Sequence, residues 1–517
     1  MTRYSIQCYG IDVNKEKVCT QSDSPVFPNY KPNYVFYNLG KSEVSVEAIY
    51  GTAISWIGII TGPVVVKPGE RKILEIDDRV YYVTGQKVRN LGVHRALVHC
   101  STVDGYSSFD DGPEIPLKID INKIVKILVK FEVGKIPIVG KVFASILDYF
   151  WPSNKANVWD QIKNQVSNLI DQKVREAIEG ILGAELRSLK TQIQMLHQEL
   201  ELNLPNTGEH YFTIAQTLIG FEKKFTFTKE EDSDYANINY FLLPMYSAVV
   251  NMKILFYQFG IVNQAKLELT NDNINMLKMW MNTLIEDKDG AVQYINKVFV
   301  DQYYLEYETC FPDIVYNSMA AVRQYCALNG FEYIDYWRSI LKDPFTTKKP
   351  YNTAISYSTH FSRPTPLLAR EMIPIEVSCP LQPKLINGRR NKMIGITVAI
   401  FRSSRNIPKI QGMVIHYENG DSINLGEASS ETIPIDFKGA YLKKLTVWGC
   451  NALDMFEFLF TDGRTASCGS NVDSANVNNV FELDYHHIAG IMITNDATGL
   501  KGQSASISVS YQLTPEE

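Results

Sequence analysis

The sequence has no excess of positive charge: 51 lysines and arginines stand against 57 aspartates and glutamates, a net charge of −6 over 517 residues. A chain that grips nucleic acid needs a basic surface, so nucleic acid is not an expected partner. Eight cysteines, at 8, 19, 100, 310, 326, 379, 450 and 468, include no C-x-x-C pair. Zinc and thioredoxin-like sites therefore lack ligands at the required spacing, and buried free thiols are expected. H-E-x-x-H, G-x-S-x-G and Walker A motifs are missing as well. Gly134-Lys-Ile-Pro-Ile-Val-Gly140-Lys141 has one residue too many before its Gly-Lys pair, and Val142 stands where a Mg²⁺-binding Ser or Thr belongs. His486-His487 is an adjacent pair, and strand neighbours point to opposite faces, so shared metal ligation is not expected. No enzyme, cofactor or metal is expected. The first ten residues, Met1 to Gly10, hold no apolar run of the secretory kind.

What is present is a soluble composition, 45% apolar and 21% charged, on a chain long enough for about three domains. Its texture changes twice. Over 1–113 the runs Tyr34-Val-Phe-Tyr, Val44-Ser-Val-Glu-Ala-Ile-Tyr, Val64-Val-Val, Lys72-Ile-Leu-Glu-Ile, Val80-Tyr-Tyr-Val and Ala96-Leu-Val-His-Cys read as short strands. Turn chemistry at Asn38-Leu-Gly-Lys and Lys67-Pro-Gly-Glu separates them, which predicts a β-sandwich. Asp104–Pro116 reads as a linker.

From Ile119 the apolar period becomes helical. Val158, Ile162, Val166, Leu169 and Ile170 share one face, as do Leu182, Leu186, Leu189, Ile193, Leu196 and Leu200. Helices are predicted over Glu209–Lys229, Asn239–Gly260, Asn271–Tyr303 and Asp313–Ile340. From Tyr235 to Ala265 there are 31 residues and one charge, Lys253, with Pro244, Asn251 and Gln258 as interruptions. A helix apolar nearly all round belongs in the centre of a bundle or in a bilayer. Beyond Lys342-Asp-Pro a Pro-rich connector leads back to β. Ile507, Val509 and Tyr511 alternate with Ser506, Ser508 and Ser510, and Glu418-Asn-Gly-Asp and Thr461-Asp-Gly-Arg are hairpin turns. The fold class is multi-domain α and β: an N-terminal β-sandwich (1–113), a central six-to-seven-helix bundle with a buried apolar helix (114–344), and a C-terminal β-prism (345–517).

The helical segment resembles the pore-forming domain of the three-domain Cry δ-endotoxins through Ile136-Pro-Ile-Val-Gly140, Asn157-Val-Trp-Asp-Gln161, Ile170-Asp-Gln-Lys-Val174 and the run from Leu242 to Leu255. The C-terminal segment looks like a jacalin-type β-prism at Ile410–Gly420, Leu445-Thr-Val-Trp-Gly449, Phe458–Gly463 and Cys468-Gly. The N-terminal segment resembles the A component of Pir-type binary insecticidal toxins at Asn33–Gly40, Ala48-Ile-Tyr-Gly and Tyr81-Tyr. Bundle followed by prism has the layout of the Pir B component. The resemblance implies a pore-forming toxin, soluble when released or stored, then acting outside its producer on gut epithelium. Its implied partners are the target-cell membrane and a surface glycan or glycoprotein receptor, with a homo-oligomer on insertion. The rival reading is a lectin whose helices merely space two β modules.

In that family two helices insert as a hairpin, which here implies 209–229 and 239–260. The implied pore residues are Glu222, Leu243, Ala248, Val249 and Lys253, with the acidic loop Glu230, Glu231, Asp232 and Asp234 at the tip. Rings of carboxylates favour cations, so a cation-selective pore is expected. Recognition is expected at Asn387, Gly388, Trp448, Asn451, Asp496, Gly499 and Gln503. Gly499-Leu-Lys-Gly-Gln503 carries Gln where the jacalin sugar loop has Asp, and an amide accepts sugar hydroxyls more weakly than a carboxylate does.

Overall fold

The computed structural model describes residues 7–11, 15–23, 34–38, 42–52, 55–67, 71–74, 83–92, 96–102, 180, 185–228, 235–309, 315–346, 350–362, 380–449, 453–472, 478–495 and 504–515. In the N-terminal part, β-branched alternation closes into two antiparallel four-stranded sheets. One holds Gln7–Ile11, Ala96–Thr102, Tyr34–Asn38 and Arg71–Leu74 in that order; the other holds Glu16–Asp23, Val83–Asn90, Val44–Thr52 and Ser55–Val66. Phe36, Val44, Val46, Ala48, Val66, Leu74 and Val88 form a core of their own. Of the expected strand 80–83, only Val83 falls within the described residues.

Among the described residues there are seven α-helices: α1 (Leu186–Leu202), α2 (Thr207–Thr217), α3 (Tyr235–Val262), α4 (Asn271–Glu286), α5 (Ala291–Thr309), α6 (Val315–Cys326) and α7 (Glu332–Lys342). Leu189, Ile193, Leu196 and Leu200 bury the predicted seam of α1, while the seam over 158–170 lies outside the described residues. Asn203 ends α1 in the left-handed region, its N–H donating to the Glu199 carbonyl, as C-caps do. Thr270 starts α4 with a reciprocal capping box to Asn273.

Three sequence boundaries are corrected. The helix expected over Glu209–Lys229 ends at Thr217, because Gly220 turns left-handed (φ +72°) and Phe221–Phe225 tightens into a 3-10 turn. The helix expected over Asn271–Tyr303 is two, broken at Asp287–Gly290, where the Gly290 N–H donates to the Asp287 carbonyl. The Asp313–Ile340 segment is likewise divided, by a π turn at Ala327–Phe331. There Gly330 lets Ile295 approach: a Cβ would stand 2.7 Å from the Ile295 methyl.

Among the described residues the C-terminal part carries three larger antiparallel sheets, besides the two-stranded hairpin Leu385–Ile386 with Arg389–Arg390. The first orders Ser422–Gly426, Pro408–Tyr417, Met393–Arg402 and Glu431–Asp436; the second orders Thr465–Gly469, Leu453–Phe460, Leu442–Gly449 and Asn478–Glu482. The third pairs His486–Asn495 with Ser504–Leu513, onto which Phe361–Ser362 and Ser356–Tyr357 add as short strands. Gly420 (φ +88°) and Gly463 (φ +84°) make the two hairpin turns, as Asn-Gly and Asp-Gly chemistry requires. The bundle and these sheets share one continuous apolar core.

The strand Ser504–Leu513 departs from its pattern. Strict alternation is the usual pattern of a half-buried strand, yet Ser506, Ser508 and Ser510 are as buried as Ile507, Val509 and Tyr511. The segment 350–362 pairs along the edge opposite His486–Asn495: the Val509 N–H donates to Ser358 Oγ at 2.9 Å and the Ser358 N–H to the Val509 carbonyl at 2.8 Å. The same segment is fastened to the bundle. Tyr316 and Arg323 of α6 donate to the carbonyls of Ser358 and Ile355, and Asp335 of α7 accepts from the Thr353 N–H and hydroxyl at 2.7 and 2.9 Å. Segment 350–362 is thus sewn to both sides.

Candidate insertion helix and recognition loops

Among the described residues, α3 is the one helix long and apolar enough to cross a membrane. Its 28 residues span about 42 Å, more than the roughly 30 Å hydrocarbon core needs. Leu243, Ala248 and Val249, named from the sequence, are all buried within it, as is nearly every other side chain from Ile238 to Ile261. Pro244 lies inside the helix and leaves the carbonyl one turn earlier without its helical donor.

Polar side chains on a helix wrapped by protein must find partners, and those of α3 find them on other elements. Asn239 grips the backbone of Phe227 twice, accepting from its N–H and donating to its carbonyl, both at 2.8 Å. Ser247 donates to the Asn329 carbonyl in the π turn at 2.5 Å. Asn251 Oδ1 accepts from Trp337 Nε1 at 2.7 Å, and Gln258 Nε2 donates to the Pro344 carbonyl at 2.8 Å. Tyr211 of α2 stacks on Phe256 with ring centroids 4.7 Å apart and donates to its carbonyl at 2.6 Å.

Lys253 is the charge that interrupts the apolar run, and its ammonium donates to Glu222 Oε2 in the 3-10 turn. Both side chains are over 90% buried. Two sequence candidates are therefore brought together as a closed ion pair. Buried ion pairs add little net stability, but removing one partner strands the other charge. The sequence signal was available: a lone lysine in 31 low-charge residues demands a carboxylate. What it could not say was which one. Glu230, Glu231, Asp232 and Asp234 lie outside the described residues.

In the C-terminal part, Asn387 (φ +50°) and Gly388 (φ +76°) form an exposed two-residue turn between Leu385–Ile386 and Arg389–Arg390, the primed geometry that Asn-Gly favours. Trp448 is half-buried on its sheet, opposite Met455 on one side and Asn478 on the other. Its neighbour Val447 is fully buried, so Trp448 points outward. Asn451, Asp496, Gly499 and Gln503 lie outside the described residues. His486 and His487 diverge as strand neighbours do: His486 reaches Glu332 of the bundle, while His487 packs on Tyr441 with centroids 4.4 Å apart. Burial, then the charges of His486 and Lys392, pushes the His487 pKa down to about 3; burial alone pushes His360 to about 4.

The bundle and the three sheets define a class. Residues 130–340 match the family model of the delta endotoxin N-terminal domain. Pesticidal crystal protein Cry8Ca of Bacillus thuringiensis subsp. japonensis is 35% identical over 69 residues, a stretch that is 13% of this chain and only 6% of that relative. The solved structure of PirB is 25% identical, with a TM-score of 0.64 over 77% of this chain and 95% of PirB. The insecticidal delta-endotoxin Cry8Ea1 from Bacillus thuringiensis superposes with a TM-score of 0.53 at 16% identity, over 77% of this chain and 74% of the toxin. The chain is thus similar to the Cry and Pir insecticidal toxins, with PirB covered almost end to end.

Proposed function

We propose that this chain is a pore-forming toxin of the insecticidal type. It binds a receptor on gut epithelial cells through its β modules and inserts the region 209–260 as a helical hairpin. The observation that carries the reading is α3: a bilayer-length apolar helix held in the bundle by apolar packing and a few side-chain contacts. Apart from the carbonyl that Pro244 leaves open, its backbone hydrogen bonds are internal, so it enters lipid with few unsatisfied peptide groups. The likeness to PirB and the match to the delta endotoxin domain support the same conclusion.

The modules are 1–113, 114–344 and 345–517, the first acting as a Pir A-like partner fused to a Pir B-like body. Inserted subunits assemble as a homo-oligomer. Lys253 then faces its water-filled lumen, because a lone charge at mid-bilayer costs about 2.5–3.5 kcal/mol or more. The loop Glu230, Glu231, Asp232 and Asp234 rings one mouth and favours cations. The C-terminal sheets act as a jacalin-like β-prism that recognises a glycan or glycoprotein, with the outward Trp448 as an aromatic platform and the exposed Asn387-Gly388 turn as a second contact. Dye release from brush-border vesicles tests the reading. Release, with cation preference lost when the four loop acids become Ser, is the expected result. Glycan binding with no release at any protein concentration would instead favour a lectin with a helical spacer.

A further inference from the structure

Asn-Gly occurs three times in the chain, at 329–330, 387–388 and 419–420. The pair carries a chemistry of its own. With no side chain on the glycine to hinder it, the glycine nitrogen attacks the asparagine side-chain carbonyl carbon. The N–Cγ bond forms, the Cγ–Nδ2 bond breaks, and the proton of the attacking nitrogen leaves with the amide as ammonia. Water then opens the cyclic imide at either carbonyl, which leaves aspartate or isoaspartate. Water is the only co-reactant. The reaction needs an asparagine amide free to rotate and a glycine nitrogen free to reach it.

The fold treats the three pairs differently. Asn329 is buried in the π turn, and its Nδ2 donates to the Tyr325 carbonyl at 2.9 Å. Asn419 is exposed, so accessibility alone would admit it. Its Oδ1, however, accepts from Asn391 Nδ2 at 2.6 Å and from the Asp421 N–H at 3.0 Å. The Gly420 N–H donates to the Tyr417 carbonyl at 3.0 Å. Both reacting groups are therefore held. The turn also closes a ladder of five residue pairs, from Gly412 with Gly426 to His416 with Ser422.

Asn387 is exposed as well, and its side chain makes no hydrogen bond among the described residues. The nitrogen of Gly388 lies outside the ladder, which pairs only Leu385 with Arg390 and Ile386 with Arg389. The Asn391 N–H closes the base of this hairpin on the Lys384 carbonyl at 2.9 Å, so the tip opens while the base holds. Opening matters, because left-handed backbone, with ψ about +47°, turns the glycine nitrogen away from Cγ. A hairpin of two pairs is marginal by itself, and local opening of such an element costs little. We propose that Asn387-Gly388 is a site of spontaneous deamidation in the folded protein, and that the fold shuts the other two Asn-Gly pairs. Either product alters the turn. Aspartate adds a carboxylate beside the exposed Arg389, whose guanidinium lies 5.5 Å from the Tyr351 ring centroid. Isoaspartate routes the backbone through the former side chain and lengthens it by a methylene, which a two-residue primed turn does not accommodate.

The chemistry depends on neither a receptor nor a membrane, so its failure would leave the toxin reading standing. The test is peptide mapping by mass spectrometry of the full chain kept in heavy-oxygen water, folded in neutral buffer and unfolded in urea. The water that opens the imide leaves its oxygen in the product, so label marks each event. In urea the three pairs should take up label at similar rates, since glycine follows in each. In the folded chain Asn387 should run about tenfold or more ahead of Asn419, the factor expected for a hydrogen bond held on the attacking nitrogen. Asn329 should be the slowest. Label at Asn387 no faster than at Asn419 in folded protein would overturn the assignment. Equal label at all three would do the same, because it would place the reaction in the unfolded fraction.

Discussion

α3 and the strand Ser504–Leu513 are both buried on all sides, yet they are held in different ways. The strand is bonded along its length to His486–Asn495 and to the short strands of 350–362. Taking it out would break a backbone ladder. The helix carries its backbone bonds with it, and its ties to neighbours are apolar packing plus discrete side-chain contacts. A buried helix is therefore separable in a way that a buried strand is not, and the proposed insertion rests on that difference.

The comparison breaks most readily at the ion pair. Glu222→Ala leaves Lys253 charged and buried, and should cost about 3–5 kcal/mol in urea unfolding. The double change Glu222→Met with Lys253→Met should recover most of it. A single-variant loss below about 1 kcal/mol would show that the pair is solvated and α3 loosely held.

Acid should weaken the sheet side. His360 and His487 bind protons in the unfolded chain below its pKa of 6.5 but stay neutral in the fold until about 4 and about 3. The unfolded state binds more protons in that window, so stability falls as pH falls from 6.5 toward 4. The slope approaches about 1.4 kcal/mol per pH unit for each histidine. Urea midpoints at pH 7, 6 and 5 measure it, and His487→Phe should flatten the slope by about half. An unchanged slope would mean that His487 is solvated.

Trp337→Phe removes the donor to Asn251 Oδ1, on a side chain whose Nδ2 already lacks a partner. The expected loss is about 1–3 kcal/mol. If this contact restrains α3, vesicle dye release should be faster in the variant; slower release by folded protein would show that Trp337 assists insertion. The smallest stability effect belongs to Trp448→Ala, about 1 kcal/mol or less for an outward side chain, with weakened cell or glycan binding and unchanged bundle helicity by circular dichroism. Intact binding would remove Trp448 from the recognition surface.

Sequence pattern alone determined the order of textures, the all-round apolarity of α3, the seam of α1 and the hairpin turns at Gly420 and Gly463. Each rests on neighbours within a few residues, where backbone preference and side-chain period act. Helix ends were less legible: Thr226 and Thr228 do not continue a helix past Gly220, but only packing of Phe221 and Phe225 into the core fixes the turn. Tertiary structure decided what long-range proximity alone can decide. Nothing local to Lys253 selects Glu222, 31 residues away, and nothing in Glu332 anticipates His486, 154 residues further on. The serines of the last strand alternate with apolar residues, the usual pattern of a half-buried strand. They are dry because long-range packing covers both faces of the strand, while segment 350–362 pairs along its edge and fastens it to the helices.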